Sequence, residues 1–285
     1  MRTITGRALT AGAILVGSFG LTPAALAGPD DHELVIDGQP ITTYVQKEEG
    51  PLGEIYSGWR FRSQETQALE ADDFENPAMV AVDQAMAQFS TPDGTEGKSC
   101  ASCHEGGPEE FAGLRAHLPR WNADTNKPET LENIINECRT ERMGAEPWKW
   151  EAKEMVNMTA LVGLQSRGVA VDVQTDGPME QWYEKGKELY YTRVGQLDMA
   201  CSNCHEDNWG KMIRADHLSQ GQTNGFPVYR LKWAGLGSIH RRFKGCMENI
   251  RAEPYKRGSD EFIALELYVA SRGEGLGVET PAVRN

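Results

Sequence analysis

Two CxxCH motifs carry the residues of this sequence that are best suited to chemistry, one at 100–104 and one at 201–205. The two thiols of such a motif can form thioethers to haem vinyl groups, and the adjacent histidine then reaches the iron. A four-cysteine zinc site would bring its two CxxC pairs within about 15–20 residues of each other, whereas these motifs lie far apart. We therefore predict two covalently bound haem c groups. The attachment cysteines and proximal histidines are Cys100, Cys103 and His104 for the first haem, and Cys201, Cys204 and His205 for the second.

Residue types and spacing alone leave several candidates for the second axial ligand of each iron. The candidates are His117, Cys138, Met143, Met155 and Met158 in the first half, and His217, Cys246 and Met247 in the second. His117 and His217 follow the proximal histidines closely in sequence, so the chain between them is short for reaching the opposite face of the haem. The methionines of residues 149–168 have the helical spacing typical of core side chains. Cys138 and Cys246 leave room for a loop around the haem edge, and a disulfide between them is the alternative.

The two lone cysteines differ in their charged neighbours. No cation occurs in residues 133–137 before Cys138, whereas residues 240–245 before Cys246 read HRRFKG. In an acidic chain this is a local positive site that favours a thiolate and attracts an oxyanion, and in a helix Arg242 would share a face with Cys246. The alternative is a solvated basic turn that docks an acidic protein, a role that suits Lys244 and Arg241 better than Arg242.

The elements that must position these motifs recur along the chain, since residues 103–105 correspond to 204–206, 114–118 to 213–218, 145–147 to 252–254 and 166–168 to 271–273. Each half reads as helix, haem motif, loop and helix. We predict a mainly α fold with two tandem cytochrome c-like haem domains related by an internal repeat, preceded by an N-terminal extension. The predicted ranges are 1–27 for a signal peptide, 28–75 for the extension, 76–172 for the first haem domain and 173–285 for the second.

Local signals place several elements within these ranges. The Asp37-Gly38 turn predicts a short hairpin that joins residues 34–36 to 41–45. Asn76-Pro77 predicts a helix that runs to about Phe89. Pro178 begins another helix after a segment at 169–177 in which helical periodicity lapses, and Ser259 begins the last helix. In that last helix Phe262, Leu265 and Val269 fall on one face.

The N terminus has the charged, apolar and small-residue regions of a secretory signal, with cleavage after Ala27. Glycines dilute the apolar run and no stop-transfer pattern follows, so we expect an exported periplasmic protein without a membrane anchor. Removal of Arg2 and Arg7 with the signal takes the formal net charge from −13 to −15. That charge argues against nucleic-acid binding but leaves room for an anionic substrate at a local basic site.

Taken together, these motifs resemble the dihaem SoxA family, a subunit of the SoxAX cytochrome c complexes of sulfur-oxidising bacteria. The resemblance covers nearly the whole chain after the signal: two CxxCH domains, a cysteine ligand in each, and Arg-x-x-x-Cys at 242–246. It implies an L-cysteine S-thiosulfotransferase, which joins thiosulfate oxidatively to a carrier cysteine on SoxYZ and passes two electrons to cytochrome c. It also implies a small SoxX-type cytochrome c subunit as the partner in a heterodimer.

The same resemblance assigns roles to individual residues. It implies that Cys246 is the active-site ligand and carries a persulfide, that Arg242 binds substrate, and that Cys138 is the axial ligand of the first haem. We expect Lys244 to help Arg242 to neutralise the sulfonate end of thiosulfate. The alternatives are a dihaem thiosulfate dehydrogenase that makes tetrathionate and a plain electron-transfer dihaem cytochrome.

Overall fold

The structure of the chain is a computed structural model that describes residue 29 and residues 32–285. The signal peptide predicted for residues 1–27 lies outside these residues. In the part of the chain that the structure describes, no helix is long and apolar enough to cross a membrane.

Helices form most of the regular structure, and short strands lie between them. The helices are α1 (Gln64–Ala71), α2 (Met79–Phe89), α3 (Leu131–Glu137), α4 (Lys153–Leu164), α5 (Glu180–Tyr191), α6 (Cys201–His205), α7 (Ile239–Asn249) and α8 (Asp260–Arg272). The strands are β1 (Leu34–Ile36), β2 (Gln39–Ile41), β3 (Tyr44–Gln46), β4 (Glu54–Tyr56), β5 (Arg120–Asn122), β6 (Lys127–Glu129), β7 (Met212–Ile213), β8 (Asp216–His217), β9 (Val228–Arg230), β10 (Gly235–Gly237) and β11 (Ala282–Arg284).

Two helix pairs hold the core of the molecule. Helix α2 packs against α4 and helix α5 packs against α8. The first pair buries Val82 and Phe89 against Met158 and Leu161. In the second pair a Cβ atom at Gly186 would lie 2.0 Å from the Ala264 carbonyl oxygen, so only glycine permits this close approach of the two helices. Each pair stands next to one CxxCH motif.

Two of the expected helices are confirmed with small changes at their starts. Helix α8 begins after Ser259, whose side chain accepts a hydrogen bond from the Phe262 backbone NH, and its apolar face joins the cluster of α5. Helix α2 ends at Phe89 as expected but begins at Met79. The Asn76 side chain accepts from the Ala78 backbone NH at 2.9 Å, so it stabilises a turn just before the helix. Pro178 lies in a short 3₁₀ turn, and α5 follows it.

The N-terminal extension forms two hairpins where one was expected. Strand β1 pairs with β2 so that Ile36 lies opposite Gln39, because the two-residue Asp37-Gly38 turn sets that register. Residues 44–46 therefore belong to β3, which pairs with β4. The expected hairpin at residues 34–45 is correct in its turn and too long in its second strand.

A buried ionic cluster joins the N-terminal extension to the C terminus. Arg284 on β11 contacts both Glu70 on α1 and Glu279, and Glu70 also accepts a hydrogen bond from the Val283 backbone NH at 2.7 Å. Both carboxylates are fully buried. Burial raises the pKa of Glu70 to about 8, even though the charge of Arg284 opposes that rise. One arginine between two buried carboxylates neutralises only one of them.

A three-stranded sheet places the C terminus beside the second half of the chain. Strand β9 lies in the centre, antiparallel to β10 and parallel to β11. Ser238 follows β10 and caps α7 by accepting from the Arg241 backbone NH. The sheet therefore positions both Arg230, at the end of β9, and the helix that carries Cys246.

Candidate functional site

The second CxxCH motif forms the short helix α6, which leaves its histidine with a defined orientation. The Asn203 side chain accepts a hydrogen bond from the Ala200 backbone NH at 2.9 Å and so caps the helix. His205 Nδ1 donates to the Ser219 carbonyl oxygen at 2.7 Å. Gly221, at φ +79°, lies against the ring, and a Cβ there would be 2.9 Å from His205 Cγ. With Nδ1 protonated, Nε2 is the nitrogen available to a metal.

Helix α7 brings Cys246 to this histidine. A hydrogen bond links the His205 ring to the Cys246 sulfur, and the thiols of Cys201 and Cys204 are close enough to Cys246 for electrostatic interaction. Cys246 is half-buried. The imidazole and the lone thiol of the second half therefore converge on one place beside the two attachment cysteines.

Positive charge dominates at Cys246, whereas burial and negative charge dominate at Cys138. Burial by itself raises the pKa of the Cys246 thiol, but the charge of Arg242, the hydrogen bond from His205 and the charge of Arg230 together lower it to about 7. At Cys138 burial and the carboxylate of Glu137 raise the pKa of the thiol, against the charge of Arg142. The structure thus reproduces the contrast in local charge that the sequence predicts for the two cysteines.

The basic stretch before Cys246 divides into residues with different partners. Arg242 lies four residues before Cys246 on α7 and acts on its sulfur. Lys244 instead pairs with Glu248, one turn further along the helix. The Arg241 guanidinium lies 4.2 Å from the Trp233 ring centroid. His240 is fully buried, with Nε2 at 3.0 Å from the Glu266 carboxylate. The structure brings Arg242 to Cys246 and directs Lys244 elsewhere.

A charged cluster behind Arg242 was not foreseen from the sequence. Asp216 on β8 contacts Arg62 of the N-terminal extension at 2.5 Å and Arg230 at 3.0 Å. Both arginine side chains are at least 90% buried, since 4% and 10% of their surfaces are exposed. Burial lowers the pKa of both Arg62 and Arg230, and the like charge of Arg242 nearby lowers it further. The sequence held one indication of this cluster. Residues 213–218 of the second half have one residue more than the corresponding residues 114–118 of the first half, and that inserted residue is Asp216.

The first CxxCH motif has the same plan with a different histidine partner. Residues 100–102 form a 3₁₀ turn, and the Ser99 backbone NH donates to the Ser102 side chain at 2.9 Å. His104 Nδ1 lies 3.2 Å from the Glu110 carboxylate. The ring centroids of His104 and Phe111 are 4.6 Å apart. Here, too, the side-chain contacts leave Nε2 as the nitrogen available to a metal.

Cys138 ends α3 and lies near the attachment cysteines of the first motif. Its thiol interacts electrostatically with Cys100 and Cys103. The methionines of α4, Met155 and Met158, are buried in the protein core, as their spacing predicts.

Other side chains considered as ligands have protein partners of their own. His117 Nδ1 donates to the Asp172 carbonyl oxygen at 2.8 Å, and His217 lies in the β7–β8 hairpin. Met143 is also buried, and Met247 packs against the α5–α8 cluster.

These donor sets fit haem c better than the alternatives. All six cysteines are free thiols, so no disulfide joins Cys138 to Cys246. Among the described residues no group of three or more His, Cys, Asp or Glu side chains is arranged to hold a metal ion. Two thiols and an oriented imidazole are what a covalently attached haem requires, and the lone thiol of each half is a further donor near them.

Comparisons with known proteins also indicate a cytochrome c domain. The SoxA/TsdA cytochrome c domain family matches residues 84–171. The L-cysteine S-thiosulfotransferase subunit SoxA of Rhodovulum sulfidophilum is 50% identical over 292 residues, which cover 100% of each chain. The SoxA subunit of Paracoccus pantotrophus is 52% identical over 286 residues, which cover 97% of this chain and 98% of that one.

A solved structure extends the likeness to the fold. The crystal structure of SoxXA from P. pantotrophus contains a chain that superposes with a TM-score of 0.87 at 53% sequence identity. The match covers 90% of this chain and 100% of that chain.

Proposed function

This chain belongs to the SoxA family of L-cysteine S-thiosulfotransferase subunits, and we propose that it transfers thiosulfate oxidatively onto a cysteine of a SoxYZ-type carrier protein. The observation that carries this proposal is the convergence of Arg242, Cys246 and His205 in the second half of the chain. A positive guanidinium beside a reactive sulfur suits a substrate with an anionic end and a sulfur end.

Arg242 is suited to hold the anionic end because, among the described residues, the nearby carboxylate is already paired with other arginines. Asp216 pairs with Arg62 and Arg230, whereas none of the described residues forms an ion pair or a side-chain hydrogen bond with Arg242. Three guanidiniums and one carboxylate leave excess positive charge at the place where an anion would bind. A planar guanidinium donates bidentate hydrogen bonds to sulfonate oxygens as it does to phosphate.

The reaction can be written with its atoms and electrons balanced. Arg242 holds the sulfonate while the terminal sulfur of thiosulfate and the persulfide sulfur on Cys246 form a new S–S bond, which releases two electrons. The thiolate of the carrier cysteine then attacks the former terminal sulfur of thiosulfate. The S–S bond to Cys246 breaks, its electron pair returns to the persulfide, and the proton of the carrier thiol goes to solvent. The carrier leaves as the S-thiosulfonate.

A haem c group held by Cys201, Cys204, His205 and Cys246 supplies the one-electron acceptor for this chemistry. The chain's own residues orient that group through His205 and the Ser219 carbonyl oxygen. We assign a second haem c to the first motif, where Cys100, Cys103, His104 and Cys138 would hold it. In that position it is suited to store or relay an electron.

The proposal includes two tandem haem domains, with ranges 76–172 and 173–285 after the 28–75 extension. Matching details support it. A short bridge precedes each motif, Asp93 to Lys98 in the first half and Val194 to Met199 in the second. A Cβ at Gly94 would lie 2.2 Å from the Met143 carbonyl oxygen, and one at Gly195 would lie 2.4 Å from that of Ile250.

Two protein partners and a location follow from the same family assignment. The likeness to a chain of SoxXA supports a heterodimer with a small SoxX-type cytochrome c, and a downstream cytochrome c would take the electrons. We place the mature protein in the periplasm after removal of residues 1–27. Lys244 remains a predicted assistant of Arg242, although its pairing with Glu248 does not support that role.

Product analysis tests the transfer reaction. The complex with its cytochrome partner is given thiosulfate and oxidised cytochrome c, with and without the carrier, and with a carrier whose cysteine is replaced by serine. We expect a thiosulfonate adduct on the intact carrier alone, with two cytochrome c molecules reduced for each adduct. Tetrathionate made without the carrier would instead establish a thiosulfate dehydrogenase.

A variant and a mass measurement test the site. Cys246→Ala is expected to abolish adduct formation, whereas a plain electron relay would keep electron transfer to a non-native acceptor in that variant. Intact mass of the exported wild-type protein should show two haem additions and one or two extra sulfur atoms. A mass without haem would end the proposal.

A further inference from the structure

The two CxxCH histidines differ in the group that accepts their Nδ1 hydrogen bond. His205 donates to the neutral Ser219 carbonyl oxygen at 2.7 Å. His104 lies 3.2 Å from the Glu110 carboxylate, a group that carries a full negative charge at neutral pH. The ring of one predicted haem ligand is thus oriented by a dipole and the ring of the other by an anion.

Glu110 is held in place for this contact by its other oxygen. Its Oε1 accepts a hydrogen bond from the Gly106 backbone NH at 2.6 Å. The glutamate lies in the 3₁₀ turn Pro108–Phe111, whose Phe111 ring packs against His104. One short turn therefore fixes both the carboxylate and the face of the imidazole. The contact is partly exposed, with 32% of the His104 side chain and 40% of the Glu110 side chain accessible, so solvent weakens it without removing it.

A carboxylate acceptor changes the electronic character of a ligating histidine. It draws the Nδ1 proton toward itself, which makes the imidazole a stronger donor and stabilises ferric over ferrous iron. The charges around the two lone cysteines act in the same direction. Arg242 and Arg230 act on Cys246, whereas at Cys138 the carboxylate of Glu137 outweighs the guanidinium of Arg142. Positive charge near an iron favours its reduction and negative charge opposes it.

We infer that Glu110 is a positioning residue that acts through His104 to lower the reduction potential of the first haem below that of the second. This inference rests on the proposed assignment of a haem to each motif. Under it, the first haem stays ferric while the second haem, at Cys246, accepts the electrons of sulfur transfer. Glu110, a side chain outside the motif, thus adds to the difference in potential between the two CxxCH units.

A redox titration of the haem-loaded chain in complex with its cytochrome partner tests this inference. The variant Glu110→Gln keeps the side-chain length and a hydrogen-bond acceptor but removes the charge. The matched control is Glu109→Gln, which removes the same charge from the adjacent residue of the same turn, where the side chain lies beside Gly107. The midpoint potential of each haem and the g values of each low-spin ferric signal are measured for both variants.

We expect Glu110→Gln to raise the midpoint potential of one haem, to alter its g values, and to leave the other haem unchanged. The Cys246→Met variant identifies the signal of the second haem, which should be the unchanged one. Equal shifts in Glu109→Gln, or no shift in Glu110→Gln, would overturn the role of Glu110 while both haems remain attached. If the Glu110→Gln variant fails to bind the first haem, the Glu110→Asp variant is measured in its place. The shorter aspartate side chain moves the carboxylate away from His104, so the midpoint potential should shift in the same direction. An intact mass of the wild-type protein with a single haem would instead contradict the proposed assignment of a haem to each motif.

Discussion

The replacement Arg242→Gln gives the sharpest test of the anion site. Arg242 lies one helical turn before Cys246, and its charge is the strongest of those that lower the pKa of the Cys246 thiol. It forms no ion pair with the described residues, so its removal leaves no carboxylate without a partner. The expected effect is therefore on the reaction and not on folding.

The magnitude follows from the interaction that is lost. A hydrogen bond to a charged group contributes about 1.5–3 kcal/mol, and each 1.4 kcal/mol is a factor of about ten. Arg242→Gln should therefore lower kcat/KM for thiosulfate about 10- to 150-fold. Arg242→Lys should keep part of the activity, because the ammonium retains the charge but not the bidentate geometry.

Steady-state reduction of cytochrome c, with carrier in excess and thiosulfate varied, measures this effect. Lys244→Gln provides the comparison, because Lys244 carries the same charge two residues away but pairs with Glu248. Its kcat/KM should stay within about twofold of wild type, as expected for an exposed ion pair. A loss in Lys244→Gln as large as that in Arg242→Gln would refute the placement of the anion site, and the sequence-based role of Lys244 would stand.

Three further predictions concern the haems and the buried cluster. Cys138→Met should change the spectrum and the potential of one haem while sulfur transfer stays partly intact, and unchanged low-spin spectra would reject Cys138 as a ligand. Gly221→Ala should disturb the second haem, because the new methyl group would press on the His205 ring at 2.9 Å in a backbone region that disfavours side chains; an unaltered visible spectrum would contradict this. The raised pKa of Glu70, about 8, means that the folded state holds its proton more tightly than the unfolded state. Stability is therefore lost as the pH rises from about 4.5 to 8, so the Tm of wild type should fall over this range relative to Glu70→Gln, and parallel Tm profiles would contradict the raised pKa.

The sequence by itself determined what depends on short spacing. The CxxCH motifs, the four-residue step from Arg242 to Cys246 and the helix after Ser259 all act within one or two turns of chain, so their residue types are sufficient to identify them. The contrast in charge between Cys138 and Cys246 was also readable, because the side chains that produce much of it are near neighbours in sequence.

Only the tertiary structure decided which of these side chains meet. Arg62 reaches Asp216 from the N-terminal extension, and Ser219 and Glu110 select the orientation of the two histidines. From the sequence Lys244 was expected to assist Arg242, yet a two-residue step on a helix turns it to another side. Each CxxCH motif indicates that a haem binds there, but the charged side chains that surround the motif in space lie outside it in the sequence. The positive charges around the second motif distinguish the half suited to an anionic substrate, because electrostatic interaction depends on distance in space.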